Sequence, residues 1–311
     1  MTTQSAVVPQ PIVRPAAARK EGPRKLPLGR QLVLQLICLL IAATVLFPIL
    51  WIVSMAVDPR NIARPEGLNL IPPGASLDAF GRVIAQPTQN PVTFIELARN
   101  SLFIAVLIAM TSVGIGVLAA YAFSRLRFRG REALMIAVLA VLMLPAVAAL
   151  APLFVMLTKV QIGDFNLRKS LLGVALAVVS GQLPFAIWNM KGYLDTIPRD
   201  LEEAARVDGA GHFDVFWRVI LPLSTPVLAV TAFFGFIAGW TEFFFSWVFL
   251  EDPKTFTLAM ALNGMVGQYS GNTPWSSFAA LSILVALPVS VVYLFLPRYI
   301  ISGLTIGGVK G

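Results

Sequence analysis

The sequence predicts an all-α integral membrane protein with six transmembrane helices and both termini in the cytoplasm. Three observations carry that expectation. Among 311 residues, 57% are hydrophobic and 13% charged, where a soluble domain carries roughly 25% charged residues. The mean hydropathy is +0.78. Six charge-poor runs are each long enough for a span of about 20 apolar residues. Finally, the basic residues gather in alternate connections, as orientation in a membrane requires.

The runs follow one another in order. Residues 1–30 are rich in Pro, Ala and basic residues and lack apolar periodicity, so they are expected to be a disordered basic cytoplasmic tail. The first span is Gln31–Val57. It is too long for the apolar region of a signal peptide and lacks a small-residue cleavage site, so it is read as uncleaved. A loop from Asp58 to Leu97 holds Pro59, Pro65, Pro72, Pro73, Pro87 and Pro91 and is expected to be irregular, with one short helix near Leu77–Ile84. The next spans are Asn100–Ser124, Ala133–Thr158 and Ser170–Met190. The fifth, Val219–Thr241, is expected to continue toward Leu250 with Glu242 near one end. The sixth, Ser276–Leu296, lies inside the uncharged run Thr255–Pro297.

Lys and Arg then set the orientation. The N-terminal segment, the 125–131 loop, the 191–218 segment and the C-terminal tail hold 16 of the 24 basic residues, against 8 on the opposite side. By the positive-inside rule, the first set faces the cytoplasm. The net charge of +8 therefore belongs to the flanks of spans, and not to a groove for nucleic acid.

The residue inventory excludes most chemistry. Cys38 is the only cysteine and His212 the only histidine, which leaves no disulfide framework or cysteine metal cluster. No G-x-x-x-x-G-K-[ST] loop occurs, so the chain has no P-loop of its own for ATP. A membrane-embedded enzyme would lack a catalytic cluster.

One long charged segment separates the fourth and fifth spans. Pro198 suits the first turn of a helix, where its missing N–H costs nothing. Asp200, Glu202 and Glu203 follow it, where the helix dipole favours anions. Leu201, Ala204 and Ala205 share one face, and Gly209-Ala210-Gly211 breaks the helix. A second helical pattern runs through Phe213, Phe216, Trp217 and Ile220 before Pro222. An interfacial hairpin lying on lipid headgroups is one reading. Six carboxylates (Asp195, Asp200, Glu202, Glu203, Asp208, Asp214) against Lys191, Arg199, Arg206 and Arg218 favour the other, a protein partner with a basic groove.

Glu203-Ala204-Ala205, Gly209 and Leu221-Pro222, placed after the fourth span, resemble the signature loop of ABC-importer permeases. Val219 stands where that family more often has Ile. The resemblance implies a type I importer architecture in which helices within 198–218 dock into a cleft on an ATPase subunit. Glu203 would supply a charged contact, Ala204 and Ala205 close approach, Asp208 a further contact and Gly209 the turn. The last ten residues, from Ser302 to Gly311, resemble the tail of the smaller permease of maltose-type importers. The resemblance thus covers the chain from about Arg30 onward, with residues 31–300 as the permease domain. It implies that residues 301–311 form a tail reaching the ATPase subunits, with Gly307, Gly308, Val309 and Lys310 at the contact. A frayed end is the bland reading of the same residues.

That family also implies the partners: a second, dissimilar permease, two ATPase subunits that bind the ATP and Mg, and an extracytoplasmic sugar-binding protein. No cofactor is expected in this chain itself. A prokaryotic inner membrane is the expected location. The loop after the fifth span, with Asn263, Gln268, Tyr269 and Asn272, would enter the binding protein, or else merely cap two helices.

Polar groups inside spans are candidates for a substrate path. Gln182, Asn189 and Glu242 stand out, with Trp188 and Trp240 available to stack on sugar rings. Interhelical hydrogen bonding is the alternative use of such residues. Glycines at 114, 116, 173, 181, 235 and 239 allow close helix approach, and Pro145, Pro152, Pro184, Pro226 and Pro288 allow kinks. The expected cargo is maltose, maltodextrin or a related oligosaccharide; a polyol or glycerol phosphate remains open. An ion-coupled secondary transporter is the reading from another class, and the scarcity of intramembrane carboxylates stands against it.

Overall fold

A computed structural model describes residues 27–62, 70–266 and 273–307. The chain divides into two compact units, residues 1–49 and 50–311. In the first, the described residues 27–49 are all exposed. They form the start of α1 (Leu28–Ala56), whose bare Leu36, Leu39, Ile41 and Val45 side chains suit a lipid neighbour.

The second unit continues with α2 (Asp78–Ala85), as the sequence predicts. Next comes α3 (Phe94–Arg125), started by a capping box in which Thr93 N–H donates to Glu96 Oε2 at 2.8 Å. α3 is the spine of this unit. Leu97, Ser101, Ile104, Ala105, Ile108, Ser112, Gly116, Val117, Ala120 and Ser124 recur every three or four residues and are buried. They feed all three apolar clusters of the unit: one with Leu258 and Leu281, one with Val174 and Phe249, one with Met190 and Ile220.

The sequence predicts one continuous span over Ala133–Thr158, and the structure breaks it. α4 (Arg131–Leu142) and α5 (Ala146–Thr158) are separate helices, and their axes, Arg131–Leu142 and Val147–Thr158, meet at 103°. Pro145 is the physical reason: it removes an N–H and pushes the preceding residue out of the α region. A short antiparallel ribbon of β1 (Gln161–Ile162) and β2 (Phe165–Asn166), turning at Gly163 with φ 58°, follows. Then α6 (Leu171–Leu194) begins at the Ser170 cap, where Gly173 N–H donates to Ser170 Oγ at 3.1 Å.

Beyond α6 lie α7 (Asp200–Val207), α8 (His212–Asp214), a π-helical turn (Val215–Ile220) and α9 (Leu221–Leu223). The fifth span runs on to Phe249, as the sequence predicts, with a short break in its helical hydrogen bonding. α10 (Thr225–Trp240) ends, and α11 (Phe244–Phe249) restarts with the Glu242 carboxylate accepting from Phe245 N–H at 2.6 Å. A single 3₁₀ turn (Pro253–Thr255) leads to α12 (Leu258–Met265), and α13 (Trp275–Gly307) closes the chain. α13 therefore takes up Ser302–Gly307 of the segment expected to be the tail; residues 308–311 lie outside the described residues.

Hydrogen bonds fix the directions. Ser124 Oγ donates to Asp195 Oδ1 at 2.6 Å, so α3 and α6 end together. At the opposite end, Asn100 Nδ2 donates to the carbonyls of Lys254 (2.7 Å) and Phe256 (2.9 Å), and Leu258 N–H to Ser101 Oγ (2.9 Å). α3 and α6 are thus parallel, and the bent α4–α5 pair carries the chain back across between them, as one span would. With that pair counted once, six helical passages among the described residues are long and apolar enough to cross a membrane.

α10 lies unusually close to α3. A Cβ placed on Gly235 would stand 2.9 Å from Ala109 Cα, and one on Gly239 2.5 Å from Ala105 Cα. Small residues four apart on one helix, facing alanines on the other, let two backbones pack without a hydrophobic driving force. Gly116 similarly meets Ala186 and Met190, whereas Gly114 and Gly181 face open space.

The end holding α12 is tied by Arg168. Its Nη1 donates to Phe249 O at 3.0 Å, its Nη2 to Glu251 Oε1 at 2.6 Å, and Lys169 Nζ lies 2.6 Å from Glu251 Oε2. Hydrogen bonds from Lys169 and Arg168 hold the Glu251 carboxyl below the usual carboxylate range. A depressed pKa stabilises the fold above the ordinary value, and that contribution is lost as pH falls through the depressed one. Glu251→Gln is therefore expected to lower the melting temperature at neutral pH, with the difference from native closing below about pH 4. A difference that persists unchanged in acid would refute the ion pairs as its source.

Candidate functional site

The connection between α6 and α10 is built to stand off the bundle on a fixed base. α7 carries Asp200, Glu202 and Glu203 in its first turn, where exposed N–H groups attract carboxylates. It stops at Gly209, whose φ of 90° is open to glycine at little cost. Ala210 N–H donates to Ala205 O at 2.9 Å and Gly209 N–H to Arg206 O at 3.0 Å, the paired bonds of a Schellman stop. The predicted glycine break is present, with its hydrogen bonds satisfied.

The apolar faces differ from those predicted. Leu201 and Ala204 are exposed, while Ala205 is half-buried against the cluster of Met190 and Ile220. In the second helical stretch, Phe216 and Ile220 are buried, but Phe213 is 73% and Trp217 50% exposed. The π turn explains the division. Its i→i+5 bonding turns the chain by a smaller angle per residue, so side chains four apart still align but those three apart diverge.

The resulting outer surface contains Glu203, Val207, Asp208, Gly209, Phe213 and Trp217, all exposed. Val207 is 87% exposed, and the Phe213 and Trp217 rings lie 5.8 Å apart. Carboxylates beside bare apolar groups make a surface suited to a partner with a basic, apolar-lined cleft.

The inner face rests on a residue that the sequence pattern does not single out. Glu202, beside Glu203, is buried, and its Oε1 accepts from Arg125 Nε at the end of α3. Arg125 Nη2 also donates to Ile197 O at 2.9 Å and Nη1 to Ser124 Oγ at 3.1 Å. Lys191 Nζ is 2.5 Å from Asp195 Oδ2. Burial pushes the Asp195 carboxyl up, but hydrogen bonds from Lys191 and Ser124 outweigh it and hold the group below its ordinary value. The sequence offered one clue to this network, the crowd of arginines at 125–131; the partner 77 residues away had no periodic signature.

The predicted substrate-path residues are not brought together. Asn189 lines an open pocket of about 460 Å³ with Trp188, Gly192, Tyr193, Pro226 and Val227. Its Nδ2 approaches Thr231 Oγ1 at 3.4 Å. Gln182 is half-buried on α6 and does not line that pocket. Glu242 sits at the far end of α10 and caps α11. Trp240 is 3% exposed, stacks on Phe236 and donates from Nε1 to Val285 O at 2.9 Å, so its ring is committed to packing. Asn263 is exposed on α12. Gln268, Tyr269 and Asn272, like Gly308, Val309 and Lys310, lie outside the described residues; Gly307 is the last residue of α13.

The family described as binding-protein-dependent transport system inner membrane component matches residues 112–305. The trehalose/maltose transport system permease protein MalG of Thermococcus litoralis is 36% identical over 275 residues, covering 88% of this chain and 94% of that protein. The maltose/maltodextrin transport system permease protein MalG of Escherichia coli K12 is 34% identical over 292 residues, covering 91% and 97%. Among solved structures, a bacterial ABC transporter involved in the import of the acidic polysaccharide alginate has a chain with TM-score 0.69 and 24% identity, covering 89% of this chain and 99% of that one.

Proposed function

The chain belongs to the family of binding-protein-dependent transport system inner membrane components, and we propose that it is one of two dissimilar permease subunits in an ATP-driven importer of maltose, maltodextrin or a related oligosaccharide. It is a multi-pass plasma-membrane protein of the kind that moves substrate and leaves ATP hydrolysis to another polypeptide. Two ATPase subunits would bind the ATP and Mg and grip the segment within residues 198–218. An extracytoplasmic binding protein would deliver the sugar to the end holding α12, with Asn263 and the residues through Asn272 in its path. The residues from Gly307 to Lys310 would reach toward the ATPase pair.

The observation that carries this reading is the two-sided segment from α7 through the π turn. Its inner carboxylate, Glu202, is fastened to the bundle by Arg125, while Glu203, Val207, Asp208, Phe213 and Trp217 stand bare on the outer side. Such a base-and-face arrangement suits a surface that receives force from a partner. ATP-driven closure of the ATPase pair would move this segment and, through it, the helices around the substrate path.

Glu203→Lys reverses the outer charge, and Gly209→Val forces a β-branched residue into left-handed backbone at about 1–2 kcal/mol. Each is expected to lower sugar uptake about tenfold, the effect of roughly 1.4 kcal/mol in docking, and to reduce co-purification of the ATPase subunit. Membrane insertion should stay native. Full uptake in both variants would rule out the docking role.

A further inference from the structure

We propose that Arg125 is the joint through which the docking segment moves α3, and hence a positioning residue for transport and not only a fold-stabilising one. The proposal rests on the permease reading above. Its observation is the convergence of three separate parts of the segment on the last turn of one helix.

Arg125 spends its whole guanidinium on this end of the chain. Nε donates to Glu202 on α7, Nη2 to the Ile197 carbonyl at 2.9 Å, and Nη1 to Ser124 Oγ at 3.1 Å. Ser124 passes the link to Asp195 at 2.6 Å. One turn back, the Tyr121 ring meets Phe216 of the π turn edge-on, with centroids 5.0 Å apart. The entry to the segment, α7 and the helix after it are thus all held by Tyr121, Ser124 and Arg125.

The pair is also dry. The Arg125 and Glu202 side chains are 6% and 4% exposed, so water competes little for their bond. Arg206, the other cation near Glu202, is 3.9 Å away and 46% exposed, and contributes little. Glu202 and Glu203 are adjacent, one aimed at the bundle and the other away from it. Force applied at the outer carboxylate therefore passes along one residue of α7 to reach a directional, buried bond on α3.

α3 in turn is the helix against which α10 packs at Gly235 and Gly239 and α6 packs at Gly116. Close backbone contacts shift as units and do not deform continuously. A displacement delivered at Arg125 is consequently passed to the helices that line the Asn189 pocket.

A structural role and a transmitting role separate in the complete transporter, purified with its ATPase subunits and placed in vesicles. Breaking one side of a buried ion pair strands a charge, while replacing both sides with apolar residues restores a neutral, packed interior. Arg125→Met, Glu202→Met and the double variant are compared for maltose taken up per ATP hydrolysed, ATPase subunit co-purified and melting temperature. The double variant is expected to regain most of the stability lost by either single change and to hold its ATPase subunits. Its uptake per ATP should nevertheless remain about tenfold below native, the factor expected for a lost link of roughly 1.4 kcal/mol. Native uptake per ATP in the double variant, or uptake falling only in proportion to the ATPase retained, would overturn the proposal. A native chain that captures no ATPase would overturn the permease reading itself, and this inference with it.

Discussion

Gly239→Val is expected to prevent α3 and α10 from assembling. A Cβ at position 239 would lie 2.5 Å from Ala105 Cα and 2.8 Å from its nitrogen, both main-chain atoms that cannot rotate away. The helices would have to separate, and overpacking of this kind costs about 3 kcal/mol at the upper end of its usual range. Trp240, the neighbour of Gly239, anchors α10 to α13 through Val285 O, so movement there spreads to a third helix. The expected result is loss of the monodisperse, detergent-stable protein, followed by fluorescence-detected size exclusion. Gly181→Val is the matched control, since no atom lies within 4 Å of its added Cβ. If both variants behave alike, close packing is not what Gly239 supplies.

Arg168→Ala is the second large effect, and it acts at the opposite end of α3 from Arg125. Arg168 is 6% exposed and lies over the Phe154 ring at 4.6 Å while bonding Phe249 O and Glu251. Truncation strands the Phe249 carbonyl, removes a cation from an aromatic face and leaves a void between α5, α6 and α11. Leaving a buried acceptor without its charged donor costs about 1–3 kcal/mol, while the exposed Glu251 loses little. Lysine is expected to recover little, because one ammonium lacks the planar fork that reaches a carbonyl and a carboxylate together. A lowered melting temperature in detergent for both variants checks this, and full recovery with lysine would show that charge alone suffices.

The spans were legible because apolar length is a one-dimensional property. α1, α3, α6 and α13 lie where charge-free runs place them, and α2 falls within one residue of its predicted start. Continuity was less legible. Pro145 broke its span and Pro184 did not, although both sit among apolar residues; neighbours decide whether freed carbonyls find other partners. The fifth span reaches Phe249 as predicted, but the helical break inside it, where the Glu242 carboxylate caps α11, had no signature in the sequence.

The docking segment divides the same way. Glu203, Asp208 and Gly209 were singled out by the resemblance of their loop, with turn chemistry supporting the glycine, and the structure leaves them exposed. Glu202 looks identical to Glu203 in the sequence, yet it is the buried one. Helical spacing put Phe213, Phe216, Trp217 and Ile220 on one face, and the π turn sorted them into two.

By itself, then, the sequence determined that this chain crosses a membrane in apolar helices and carries a charged, glycine-jointed segment between the fourth and fifth. Those properties follow from local composition and from what each residue allows its own backbone. Tertiary structure alone decided which carboxylate of Glu202-Glu203 turns inward, which glycines touch a neighbouring backbone and where the spans break. Each of those depends on atoms distant in the chain, such as Arg125 for Glu202 and Ala105 for Gly239, whose approach is set by packing in three dimensions.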